Sequence, residues 1–119
     1  MLLNQGNFSF MFTPLPRMVQ TAPINDIALG DINQDGMVDM IVAQNDFSPQ
    51  SMHGRMDGGV SMLLQGKGDG FFEPVPSRHS GITVAGEARS ISITDINGDG
   101  KPDIVFGSPG ESLKTFMHQ

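Results

Sequence analysis

The chain has 119 residues, 38% of them apolar, which suits one domain with a modest core. Thirteen Asp and Glu stand against seven Lys and Arg, and the resulting formal charge of −6 opposes binding to nucleic acid or to an anionic membrane. Cysteine is absent, which excludes disulfides, thiolate metal sites and a cysteine nucleophile; Trp and Tyr are absent too, which counts against the ring stacking common at sugar sites.

No apolar run approaches membrane-spanning length, so no membrane insertion is expected. The opening "MLLNQGNFSF" has neither a basic leader nor a small-residue cleavage site and is not expected to be a signal peptide, leaving the compartment unknown.

In chain order, short apolar stretches rich in Ile, Val and Phe and bounded by Gly, Pro, Asn and Asp predict strands at residues 8–15, 24–32, 38–43, 60–65, 71–75, 90–96, 103–107 and 113–117. No stretch has a helical period. The strands fall into a repeat of 64 residues: "DINQDGMVDMIV" from Asp31 returns as "DINGDGKPDIVF" from Asp95. Its flanks match in register, Ile27 and Leu29 with Ile91 and Ile93, and Met40, Ile41 and Val42 with Ile104, Val105 and Phe106. A second correspondence joins "LLNQGNFSFMFTPLPR" from Leu2 to "LLQGKGDGFFEPVPSR" from Leu63, with Pro14 and Pro16 answering Pro74 and Pro76. A repeating unit of four antiparallel strands, A to D, is the pattern of β-propeller blades, and the fold class is all-β.

Between strands A and B an antiparallel pair needs only a tight turn, yet both copies read D-x-N-x-D-G-x-x-D. Asp31, Asn33 and Asp35 alternate, so a curled loop brings their oxygens toward one centre. Gly36 permits the bend that follows, Met37 offers its carbonyl, and Asp39 returns as a closing ligand. The second copy supplies Asp95, Asn97, Asp99, the Lys101 carbonyl and Asp103. An all-oxygen set with three carboxylates suits Ca²⁺, two ions per chain. The competing reading is that Asn, Asp and Gly are simply good turn formers; the repetition, and an acid at the start of strand B that no turn requires, favour the cation. An EF-hand is excluded, because Val42 and Phe106 stand where its closing Glu would be.

These residues resemble the FG-GAP or VCBS repeats of integrin-α-like β-propellers. "IALGDINQDGMVDMIVA" and "ISITDINGDGKPDIVFGSPG" look like its calcium loops, with Gly107-Ser108-Pro109 similar to the family's G-A-P, and "LLQGKGDGFFEP" looks like its turn between strands C and D. The resemblance implies that the Asp and Asn residues of both loops are calcium ligands, and it suggests an extracellular or cell-surface setting.

Propellers need about four to eight blades to close, whereas this chain holds two. Residues 24–76 form a complete blade; residues 90–117 supply strands A to C of another, whose strand D, within residues 1–16, opens the chain. Either the sequence is a piece of a larger protein, or copies join head to tail into a homo-oligomeric ring, a trimer being favoured over a dimer or tetramer.

Alternating turns put the calcium loops and "QGKGDG" at one end of the blades. Opposite lies the loop of residues 44–59, far longer than its counterpart "SPGES", with Phe47, His53 and Arg55 as partner-binding candidates; it is equally readable as an insertion that packs on a neighbouring protomer. Three functions compete: a calcium-stabilised interaction module with a protein ligand, a glycan-binding propeller, and a polysaccharide lyase. The first is preferred. No catalytic residues are assigned, since no nucleophile has an adjacent base and no acid pair lies outside the loops, so the chain is not expected to be an enzyme.

Overall fold

The computed structural model describes residues 1–44, 61–82, 84 and 87–118. Those residues form antiparallel sheets. β1 (Leu2–Gly6) and β2 (Ser9–Phe12) make a hairpin; β3 (Ile24–Gly30), β4 (Asp39–Gln44), β5 (Met62–Gly66) and β6 (Phe72–Val75) make a four-stranded sheet in sequence order; β7 (Ser90–Thr94), β8 (Asp103–Gly107) and β9 (Lys114–Phe116) make a three-stranded one. The protein is all-β with blade-like sheets, as the repeat predicts. Equivalent positions pair alike: Leu29 opposite Met40 and Ile93 opposite Ile104, then Met40 opposite Leu64 and Ile104 opposite Phe116.

The N-terminal segment differs from expectation. Residues 8–15 are not a lone strand: β2 pairs with β1 as the second arm of a separate two-stranded sheet, and by sequence β1 corresponds to β5. Set against residues 62–66, one position from the match of Leu2 with Leu63, β1 ends on Gly6 as β5 ends on Gly66, but it pairs through a shorter turn, with Asn4 opposite Phe10 where Leu64 lies opposite Pro74. The described strands thus run C-D, A-B-C-D, A-B-C, one strand C more than two whole blades contain. Two short helical turns that no helical period predicts are also present, a 3-10 helix at Arg17–Thr21 and an α-turn at Ser77–Ser80. Each starts from a proline carbonyl, Pro16 accepting from Val19 N and Pro76 from His79 N and Ser80 N.

Period-two alternation gives each sheet two faces. On the four-stranded sheet, Ile41 and Ala43 point to one side and Met40 and Val42 to the other, and all four are buried. The first side packs on the three-stranded sheet, joining Ile41 and Ala43 to Ile104 and Phe106, with Ile91, Ile93 and Phe116 against them and Ile82, Val84 and Ala88 closing the rim. Phe106 and Phe116 meet edge to face at 5.8 Å. Large residues here lie on small ones. A side chain at Gly30 would come within 3.3 Å of Ile93 Cδ1, so the glycine lets the sheets close. Ile91 N donates to Asp26 Oδ2 at 2.8 Å, and Asn25 Nδ2 to Ala88 O at 2.8 Å.

The second side, Met40, Val42, Met62 and Leu64, is covered by Val19 together with Met1, Leu15 and Phe72. Gln44, fully buried, fastens this cover by donating from Nε2 to Val19 O at 2.6 Å. The cover stops short of the innermost strand, where Ile27 and Leu29 remain 44% and 60% exposed.

Gly66 sits where strand β5 passes the end of the first loop, and a Cβ there would overlap the Val38 carbonyl oxygen. Backbone cannot yield as a flexible side chain can, so Gly66→Ala is expected to cost about 3 kcal/mol, measured by urea denaturation; an unchanged midpoint would show that the loop end is not packed this way.

Candidate metal centre

The two D-x-N-x-D-G-x-x-D loops fold alike because their short side chains hydrogen-bond their own backbone. In the first, Asp31 accepts from Asp35 N at 3.0 Å and Gly36 N at 2.8 Å, Asn33 Oδ1 accepts from Asp35 N at 3.2 Å, and Asp35 Oδ1 accepts from Met37 N at 2.8 Å. The second repeats every bond: Asp95 takes Asp99 N at 3.1 Å and Gly100 N at 2.8 Å, Asn97 takes Asp99 N at 3.1 Å, and Asp99 takes Lys101 N at 2.9 Å. Gly36 and Gly100, at φ of 87° and 81°, make the left-handed bend the spacing predicts.

Asp31, Asn33 and Asp35 are therefore gathered on one exposed curl, and Asp95, Asn97 and Asp99 on another. Gln34 Nε2 reaches Gly100 O at 3.5 Å, linking the curls. Met37 touches the space above Gly68, so the turn between β5 and β6 lies at the same end of the sheet, as alternating turns require. The Met37 backbone N–H, with the Asn33 and Gln65 side chains, holds the Asp35 carboxyl below its ordinary range.

The closing acids behave differently from the others. Asp39 and Asp103 are 1% and 0% exposed. Asp39 Oδ2 accepts from Ile32 N at 3.0 Å and Oδ1 from Gly66 N at 3.0 Å; Asp103 Oδ2 accepts from Ile96 N at 2.9 Å and Oδ1 from His118 N at 2.9 Å. Each ties the start of its loop to the end of strand C. The His118 and Ile96 N–H groups lower the Asp103 pKa from 3.8. Because the ionised form is the one favoured, that stabilisation is whole above pH 3.8 and is lost as pH falls through the lower folded value.

Among the described residues, no three His, Cys, Asp or Glu side chains converge as a metal cage. The donor chemistry nonetheless fits a hard cation: each carboxylate oxygen that accepts one N–H keeps a further lone pair, and the loops expose two acids and an amide oxygen each. The ion pairs Lys67–Glu73, Arg89–Glu87 and Lys114–Glu111 all lie outside the loops. Phe47, His53 and Arg55 fall outside the described residues. A groove of about 790 Å³ opens between the two larger sheets and brings His79 and His118 to one cavity with Leu63, Ile82 and Phe116, which sequence spacing gave no reason to expect.

Residues 88–116, which hold the three-stranded sheet and the second loop, match the FG-GAP repeat model. The chain is also similar to cartilage acidic protein 1 of Xenopus tropicalis, 38% identical over 61 residues that make up 51% of this chain. It spans about 9% of that protein's length. No solved structure matches.

If Asp39 is a backbone anchor, Asp39→Ala strands two buried N–H groups and should cost about 3 kcal/mol even in the presence of a chelator. Asp35→Ala should change stability little under the same conditions. Chemical denaturation of both variants in EDTA checks this, and equal midpoints would contradict the division of roles.

Proposed function

We propose that the chain is a calcium-stabilised β-propeller module that serves as a structural and protein-interaction unit rather than an enzyme. The observation that carries this reading is the duplicate curl: two loops, 64 residues apart, with the same hydrogen bonds and three acids apiece. A plain hairpin has no use for that density of charge. Without a counter-ion, Asp31 and Asp35 repel each other across the three residues between them, and a cation removes that cost.

Asp31, Asn33, Asp35 and the Met37 carbonyl would hold one ion, and Asp95, Asn97, Asp99 and the Lys101 carbonyl the other. Asp39 and Asp103 shape the base of each site and lend it their charge. Ca²⁺ is the ion whose irregular oxygen coordination these loops suit, and two ions would bring the formal charge from −6 to −2. An extracellular setting agrees with this, since calcium is plentiful there and weak sites fill, and the similar protein is by name one of cartilage. The opposite end of the blades, where Arg89 N donates to Gly107 O, is left for a protein or glycan ligand.

Thermal unfolding with and without Ca²⁺ tests the metal. Each site should add about 2.7 kcal/mol when Ca²⁺ stands at about 100 times its Kd. Asp35→Ala combined with Asp99→Ala should remove the calcium-dependent rise in Tm; a rise that survives both substitutions would refute the assignment.

A further inference from the structure

The packing between the two larger sheets supplies a template for a contact the chain does not make with itself. In that packing the inner strands β7 and β8 present large side chains, Ile91, Ile93, Ile104 and Phe106, to a smoother face made of Ala28, Gly30, Ile41 and Ala43. The 64-residue repeat places the same pair of surfaces at the two ends of the stack. At one end the large face recurs as Ile27 and Leu29, exposed on β3 because the cover of Met1, Leu15 and Val19 reaches only Met40, Val42, Met62 and Leu64. At the other end, the far face of β7 and β8 consists of Ser92, Thr94, Val105 and Gly107, which correspond to Ala28, Gly30, Ile41 and Ala43. Ser92 and Thr94 are exposed. Leu29 branches one carbon farther out than Ile93, which leaves room at its base for the Thr94 methyl that replaces the Gly30 hydrogen.

We propose that the Ile27–Leu29 face docks the Ser92–Val105 face of a second copy of this chain, head to tail. The proposal rests on the propeller reading above and adds the surface and the strand exchange by which copies would join. In the docked pair, β7 and β8 of one copy stand where strands A and B of a preceding blade would be, beside the unpaired edge of β1 of the other. The receiving hairpin already fills the C and D positions of that blade, so the incoming β9 must leave. Its release gives up three paired positions on β8, the bond from His118 N to Asp103 and the edge contact of Phe116 with Phe106, whereas β1 and β2 share four positions of their own and are tied by Thr13 N donating to Met1 O at 2.8 Å. A composite blade of β7, β8 and the partner's hairpin then has four strands. The contact is heterologous, so it closes into a ring or continues.

The test uses two full-length variants that each spoil one surface. Ile27→Lys places a charge on the large face and Ser92→Lys on the smooth one, both at exposed positions outside the loops. In Ca²⁺, light scattering should give a multiple of the chain mass for the wild type and the monomer mass for each variant. An equimolar mixture should give a dimer of one copy of each and nothing larger, because only one intact pair of faces remains. A wild-type monomer, an Ile27→Lys variant that still assembles, or a mixture that stays monomeric would overturn the proposal; a monomer would leave this face to a blade of another protein. Thermal scans of the same samples report calcium binding separately, so a loss of the docking is distinguishable from a failure of the calcium reading.

Discussion

The structure depends on two buried carboxylates. Asp39 and Asp103 each accept one N–H from the beginning of their loop and one from the end of strand C, so a single side chain fixes a loop and a neighbouring strand together. Buried backbone donors must find acceptors, and an ionised carboxylate is a strong one. With the loop ends pinned, the Asx hydrogen bonds of Asp31, Asn33 and Asp35 have a defined frame to curl in, and the strands on either side keep the register that sorts Met40 and Ile41 to opposite faces.

That sorting decides how the sheets stack. A face with Gly30 and Ala43 can approach a face with Ile93 and Phe106 closely, and the fit is of large on small rather than large on large. The same rule explains which surfaces remain open. β3 lies at the edge of its sheet, beyond the cover of Met1, Leu15 and Val19, so Ile27 and Leu29 face solvent although their counterparts Ile91 and Ile93 are packed. An apolar strand of this kind calls for a neighbour.

Much of this was legible in the sequence. The repeat gave the strands of the two larger sheets within a residue or two, because alternation and turn residues are local signals. The match of Leu2 to Leu63 pointed to the hairpin, but the turn at Asn7 and Phe8, with φ of 50° and 60°, carries a Phe where left-handed backbone is rare, which concealed the first arm. The helical turns after Pro16 and Pro76 are too short for any period; the paired prolines were the available clue. Loop spacing likewise could not separate Asp39 from Asp35. Both stand at ligand spacing, and only the passage of β5 and the Gly66 N–H beside it show that Asp39 faces inward.

On the proposed reading two kinds of acid serve one loop: an inner one that fixes its ends with or without a cation, and outer ones whose mutual repulsion a cation would relieve. The count of ions bound is the most direct measure of that account. Calorimetric titration of the metal-free protein with Ca²⁺ should give two ions per chain, falling to one in Asp35→Ala. Saturating at zero ions, or at two in the variant, would contradict it.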